Sequence, residues 1–269
     1  MGATACGATR KIRAGAPADV TRPVLITIPI SHFCEKARWA LERAGLDYTE
    51  RAHLQLIHWI AVRRAGGGRT APVLVTDGRV LPDSAEIVAH ADAQAPAPRK
   101  LYPTDPAARA EVRELEADFD TRLGPQGRLW MYDRLRGHKD VAVAYGCTGV
   151  PAWERRVFPY VYPAAMKMID RYLGISPAAA ESAEDEVRAT FDEVGTRLAD
   201  GRPYLCGDEF TAADLTFAAL SAAVLMPPGY GVPLPQPDEL PPAMADVVRE
   251  LREHPAGAHA LRMFETQRR

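Results

Sequence analysis

Cysteine and histidine are scarce in this sequence, and neither is spaced as a metal site requires. The four cysteines, Cys6, Cys34, Cys147 and Cys206, form no CxxC pair and no zinc-ligand spacing. The closest pairs among the seven histidines are five residues apart, so they do not share one face of a helix as i, i+4 pairs do. We therefore expect reduced thiols, a reducing compartment and no metal.

Long apolar runs and an excess of positive charge are also missing. No run approaches the length of a membrane span, and the first twenty residues lack the apolar stretch of a signal peptide. The formal net charge is -2, with Lys and Arg scattered among Asp and Glu, so the basic patch of a nucleic-acid-binding protein is absent. We expect a cytoplasmic protein that binds neither membrane nor nucleic acid, with a flexible segment at residues 1–22.

The sequence does contain enough material for two folded domains. Its 269 residues are 47% hydrophobic and 25% charged, which is typical of soluble globular proteins. A chain of this length can bury a separate core in each of two domains.

The first part of the chain alternates strand and helix patterns. The β-branched run over 24–30 predicts a strand, and Ser31 is a good cap for the helix that follows. Apolar residues then recur at helical spacing until Gly45, which predicts an amphipathic helix packed on one side. A second strand over 47–54 and a second helix over 55–65 come next.

A hairpin and a third helix complete this part. Pro72 begins a strand, Asp77–Gly78 is a strong hairpin turn, and Asp83 begins a helix. The predicted order is therefore β-α-β-α-β-β-α, ending near residue 95. Prolines interrupt the pattern over 96–105, which we take as a linker.

Beyond the linker, residues 106–269 show only helical patterns. Thr211-Ala212-Ala213-Asp214 has the form of a capping box, and the nearly all-apolar helix after it is predicted to be the buried spine of an all-helical domain. The six predicted helices lie near 106–123, 126–145, 152–173, 181–199, 211–226 and 241–264.

Three motifs stand in order along the chain, at Ser31–Trp39, Ala71–Leu74 and Leu81–Ser84, and the capping box follows them. They resemble the strand-helix junction, the cis-proline strand and the acidic-Ser turn of the glutathione transferase superfamily. The resemblance covers residues 23 to about 264. It implies a thioredoxin-like domain at 23–95 that holds glutathione or another low-molecular-weight thiol, a helical substrate domain at 106–269, and a homodimer.

Ser31 is the first candidate catalytic residue. Unpaired N–H groups and a partial positive charge at a helix amino terminus favour a thiolate over a thiol. The resemblance implies that the Ser31 hydroxyl hydrogen-bonds the cofactor sulfur, and the alternative is an ordinary helix cap. Cys34, one turn later, is either a second nucleophile or a buried spacer.

The other candidate contacts to the thiol follow from the remaining motifs. A cis bond at Pro72 exposes the backbone of Ala71, which in the family pairs with the cysteinyl part of glutathione. Asp83 and Ser84 place a carboxylate, a hydroxyl and free N–H groups at a helix start, which suits the ammonium and carboxylate of the γ-glutamyl end. The alternative is an ordinary helix cap with an acidic neighbour. His53 and Arg69 are candidates for the glycyl carboxylate.

For the electrophile we expect an aromatic pocket between the domains, with Phe33, Tyr102 and Trp130 as lining residues. The leading interpretation is a transferase that directs the thiolate at an apolar electrophile, by conjugation, isomerisation or ring opening. One alternative is a Cys34-dependent thiol-disulfide oxidoreductase or deglutathionylating enzyme. Another is a non-catalytic binding module of the same fold.

Overall fold

The computed structural model describes residues 22–268, so most of the segment predicted to be flexible lies outside the described residues. The first part of this range has the predicted β-α-β-α-β-β-α order. Its elements are β1 (Val24–Thr27), α1 (His32–Ala44), β2 (Thr49–Ala52), α2 (His58–Arg64), β3 (Val73–Thr76), β4 (Arg79–Leu81) and α3 (Ser84–Gln94).

The four strands form one mixed sheet in the order β2-β1-β3-β4. Strand β1 is parallel to β2 and antiparallel to β3, with Leu25 opposite both Glu50 and Leu74. The hairpin from β3 to β4 turns at Asp77 and Gly78, as predicted. Because β1 is an inner strand, Ser31 and the start of α1 follow its carboxyl end in the middle of the sheet rather than at an edge strand.

The second part of the chain is all helical within the described residues. None of the helices found there is both long and apolar enough to cross a membrane. They are α4 (Pro106–Thr121), α5 (Leu123–Arg134), α6 (Lys139–Gly146), α7 (Ala152–Leu173), α8 (Pro177–Leu198), α9 (Ala212–Leu225), α10 (Pro242–Glu253) and α11 (Pro255–Gln267).

Two of the predicted helices were wrong, because each is two helices. The helix predicted over 126–145 is broken between α5 and α6, where Gly137 adopts a left-handed φ of 84°. The helix predicted over 241–264 is broken at His254, which is extended because the next residue is Pro255.

The predicted spine of the helical domain is confirmed. Every residue of α9 is buried. At its start Asp214 accepts hydrogen bonds from the Thr211 N–H at 3.0 Å and from the Leu205 N–H at 2.8 Å. The cap therefore also ties the preceding loop to the helix.

Helix α1 departs from its prediction, since it is buried on both sides rather than one. It contacts α3 in its own domain and α9 in the helical domain. Charged residues on α1 are consequently buried: Lys36 is fully buried and lies 2.7 Å from Asp120 and 2.9 Å from Glu116. Glu35, also fully buried, lies 2.6 Å from Arg268.

Arg38 completes this set of buried charges. Its side chain is 2% exposed and lies 2.8 Å from Glu50 and 3.3 Å from Glu35. We call Glu35, Lys36 and Arg38 with their ion-pair partners the charged seam, because it joins α1 to the helical domain and to β2. Each buried charge here faces an opposite charge, as burial in a low-dielectric interior requires.

Candidate functional site

A cleft lies between the two domains at the amino end of α1. The thioredoxin-like domain contributes the β1–α1 junction, α2 and the loop before β3, while the helical domain contributes α5 and α7. Three of the predicted site residues, Ser31, Phe33 and Ala71, line this cleft together. Arg69, a candidate for the glycyl carboxylate, lines it as well.

Ser31 occupies the cap position of α1 in an extended conformation, with φ -73° and ψ 119°. Its Oγ accepts a hydrogen bond from the Cys34 N–H at 3.5 Å. The hydroxyl proton is not used by that bond, because the oxygen is the acceptor. Ser31 can therefore cap the helix and still donate a hydrogen bond into the cleft.

Cys34 does not reach the cleft. Its side chain is fully buried, and its Sγ accepts a hydrogen bond from the Ile28 N–H at 3.4 Å. Burial raises the pKa of the thiol above its ordinary value. A buried, protonated thiol is a poor nucleophile, so the geometry favours the spacer interpretation of Cys34.

His32 connects the start of α1 to α5 through a hydrogen bond. The ring is buried and its Nε2 lies 3.0 Å from the Gly124 carbonyl oxygen. Burial, reinforced by the charge of Arg128, lowers the pKa of His32 to about 3, so the ring is neutral and donates this bond. Phe33 presses so closely on Gly124 that a Cβ there would lie 2.4 Å from the Phe33 ring.

Helix α5 presents two polar side chains to the cleft that sequence reasoning did not select. Arg128 lies one turn after Gly124 and Tyr132 lies one turn further, so all three share a face. Burial raises the pKa of Tyr132 to about 12, which keeps the phenol protonated. Arg128 Nε is buried and has no hydrogen-bond partner in the described part of the chain.

The loop before β3 forms another wall. The Ala71–Pro72 peptide bond is cis, which confirms the prediction for this motif. Buried His58 on α2 lies with its Nε2 3.0 Å from the Arg69 carbonyl oxygen. Burial lowers the pKa of His58 to about 4, so a neutral ring positions the loop that carries Arg69 and Ala71.

His53 lies elsewhere. Its Nδ1 is 2.6 Å from Oε1 of Glu154 on α7, and Glu154 Oε2 accepts a second hydrogen bond from the Leu54 N–H at 2.8 Å. Glu154 is fully buried and therefore needs these donors. His53 lines a different cavity, beside Trp153, and is held by α7 rather than presented to the cleft.

Asp83 and Ser84 are at the start of α3, as predicted, but neither lines the cleft. Exposed Asp83 caps the helix by accepting a hydrogen bond from the Ala85 N–H at 2.8 Å, and Ser84 is buried. Their arrangement is that of an ordinary helix cap.

Tyr102 and Trp130 are core residues and do not line the cleft. The Tyr102 hydroxyl donates to Glu116 at 2.6 Å, and the Trp130 Nε1–H donates to Glu184 at 2.9 Å. Both side chains are nearly fully buried. An aromatic residue type alone did not indicate which side of a helix faces the cleft.

A second, more apolar cavity adjoins the cleft. The two share five lining residues, among them Ile30, Met131 and Tyr132. Its far wall comes from α6 and α7, including Phe158 and Tyr162. Among the residues described, no group of His, Cys, Asp and Glu could hold a metal ion.

Two family models match the sequence, one in each of the two domains. Residues 25–99 match the glutathione S-transferase N-terminal domain and residues 177–248 match the glutathione S-transferase C-terminal domain. Together these matches span more than half of the chain. Neither includes α6 or α7, which lie between them.

Solved structures share the fold. A glutathione S-transferase from Xanthobacter autotrophicus aligns with a TM-score of 0.58 and 18% identity, covering 91% of this chain and 93% of that one. A theta class enzyme from Xanthomonas axonopodis pv. citri with glutathione bound aligns with a TM-score of 0.52 and 21% identity over 89% and 96% of the two chains. No curated protein matches the sequence significantly.

The fold and cleft define a two-domain protein in which a thioredoxin-like domain faces a helical domain. With both domain matches added, the chain belongs to the glutathione transferase superfamily.

Proposed function

We propose that this protein is a transferase that stabilises the thiolate of glutathione, or of another low-molecular-weight thiol, and directs it at an electrophile in the apolar cavity. The observation that carries the proposal is the position of Ser31. Its hydroxyl lies at the amino end of α1, on the wall of a cleft that adjoins an apolar cavity. The reaction can be conjugation, isomerisation or ring opening.

The residues of the cleft suit a thiol tripeptide. Bound glutathione would supply the sulfur nucleophile. Ser31 and the first N–H groups of α1 would donate hydrogen bonds to the sulfur and favour its charged form. The Ala71 backbone, beside Pro72, would pair with the cysteinyl unit, and Arg69 would bind a carboxylate.

The remaining parts of the proposal come from family membership. Asp83 and Ser84 would hold the γ-glutamyl end, and two copies of the chain would pair as a cytoplasmic homodimer. The burial of Cys34 weighs against a redox enzyme that uses this thiol. His53, Tyr102 and Trp130 have no part in the proposed site because their polar atoms are bound to Glu154, Glu116 and Glu184 away from the cleft.

The test is ultraviolet titration of the bound thiolate in the wild-type and Ser31→Ala proteins. Loss of a hydrogen bond to a charged acceptor removes about 1.5–3 kcal/mol. We therefore expect the pKa of the bound thiol to rise, with roughly a ten- to hundredfold loss of thiolate-dependent rate at neutral pH.

Ser176→Ala is the matched control, because Ser176 caps α8 by accepting a hydrogen bond from the Ala179 N–H at 3.2 Å. Both substitutions remove a serine cap, which costs about 1 kcal/mol of stability. Only Ser31→Ala should change the pKa of the thiol. An unchanged pKa in Ser31→Ala with full thiol binding would overturn the assignment.

A further inference from the structure

The cleft and the adjoining cavity contain positive charge without any acidic lining residue. Arg69 and Arg128 line the cleft, and no Asp or Glu lines either space. Neither guanidinium has a hydrogen bond or an ion pair within residues 22–268. This contrasts with the cations of the charged seam, which all face carboxylates.

The other basic groups of the cleft do not add to this charge. Burial lowers the pKa of His32 to about 3 and that of His58 to about 4, so both rings are neutral at pH 7. The cleft therefore has two fixed cations from opposite domains. Arg69 lies in the loop beside Ala71, while Arg128 is on α5, one turn before Tyr132.

Three polar atoms on the walls of this joined space are buried and lack a partner. They are Nε of Arg128 and Nδ1 of His58 in the cleft and the hydroxyl of Tyr162 in the apolar cavity, all judged among the described residues. Nδ1 of the neutral His58 ring is an acceptor, because Nε2–H donates to the Arg69 carbonyl, so the two donors are those of Arg128 and Tyr162. Burial and the charges of Asp140 and Asp170 raise the pKa of Tyr162, so its hydroxyl stays a donor. Buried donors in native proteins normally have acceptors, and a bound ligand can supply them.

We propose that the electrophile is an amphiphilic anion, whose carboxylate or similar group binds Arg128 and whose apolar body occupies the cavity walled by α6 and α7. This inference rests on the proposed function and specifies its substrate class. A guanidinium binds a carboxylate with two parallel hydrogen bonds, so Arg128 would also orient the reacting carbon toward Ser31. The Tyr162 hydroxyl would donate to a polar atom of the body.

The test compares 4-(chloromethyl)benzoate with its neutral methyl ester. In both, the thiolate sulfur forms a bond to the benzylic carbon and chloride leaves with the electron pair of the broken C–Cl bond. The wild-type protein should have a kcat/KM about ten- to a hundredfold higher for the carboxylate, once the uncatalysed rates are subtracted. Arg128→Gln should remove this preference by lowering only the carboxylate rate.

Arg134→Gln is the matched control, because Arg134 is also on α5 but pairs with Glu184 at 2.7 Å and does not line the cleft. It should keep the preference. Equal losses for both probes in Arg128→Gln would overturn the inference, because Arg128 would then serve the thiol or the fold. A wild-type protein with no preference for the carboxylate would overturn it as well.

Calorimetry separates this inference from the proposed function, since it needs no thiol and no turnover. Wild-type protein should bind 4-methylbenzoate at least about tenfold more tightly than 4-methylbenzamide, and Arg128→Gln should bind the two equally. No turnover of either chloride, with this binding difference intact, would defeat conjugation at a benzylic carbon but support the anion site. Equal binding by the wild type would defeat the anion site alone.

Discussion

Helix α1 contributes to two regions of opposite character. Along the charged seam, Lys36 is fully buried but has Glu116 and Asp120 within 3 Å. In the cleft at the amino end of the same helix, Arg128 has a buried nitrogen without a partner. The comparison teaches that the charges of the seam are paired within the chain, whereas Arg128 lines a cleft in which a ligand can supply its partner.

The largest loss in the free energy of unfolding should come from removing a cation of the charged seam. Lys36→Met leaves the buried Glu116 and the half-buried Asp120 without their cation, and breaking a buried pair in this way typically costs about 3–5 kcal/mol. Arg128→Met removes a charge that has no partner and should cost less than about 1 kcal/mol. Urea unfolding of the two variants measures the difference. Similar losses for both would abolish the distinction between the two regions.

A second, slightly smaller effect is expected in the pH dependence of the free energy of unfolding, through His32. The folded-state pKa of His32 is lowered from 6.5 to about 3, so the unfolded chain takes up the proton first as the pH falls. Its contribution to stability is complete above pH 6.5 and is lost toward pH 3, amounting to about 3 kcal/mol by pH 4. The free energy of unfolding should therefore fall less between pH 7 and pH 4 in His32→Gln than in the wild type. If the free energy of unfolding fell equally with pH in His32→Gln and in the wild type, the His32 imidazole would not be held neutral where α1 meets α5.

The smallest effect is expected at Cys34, which is buried in α1 between the two regions. Cys34→Ala should cost about 1 kcal/mol of stability, a modest packing loss, and leave the thiol-dependent rate within about twofold. Stability and transferase rate should be measured on the same preparation. A large loss of transferase rate in a stable Cys34→Ala protein would indicate that the Cys34 thiol takes part in catalysis.

The order of elements in the first domain was predictable because its signals are local. A β-branched run, a serine cap and an Asp-Gly turn each act within a few residues. The burial of α1 was not predictable in this way, because Lys36 meets Asp120, which is 84 residues further along the chain. Likewise His53 meets Glu154 from 101 residues away, which removes it from the cleft.

Helix α5 shows why part of the site could not be predicted. Trp130 and Arg128 are two residues apart, so they project in nearly opposite directions from the helix. Trp130 lies in the core, while Arg128 lines the cleft. The spacing from Gly124 through Arg128 to Tyr132 marks one face of α5, but only the contact of Gly124 with Phe33 identifies that face as the one toward the thiol site.

The ion pair between Glu35 and Arg268 has a consequence for the order in which the chain is made. The two residues are separated by 233 positions, so Glu35 leaves the ribosome long before Arg268 exists, and only Arg38 of its two cations is then present. Domains generally fold as they are synthesised, beginning at the amino end. Here the first domain cannot bury the carboxylate of Glu35 with both of its native cation partners at that stage. The helix that carries Ser31 at its start therefore reaches its final environment only when translation has passed residue 268.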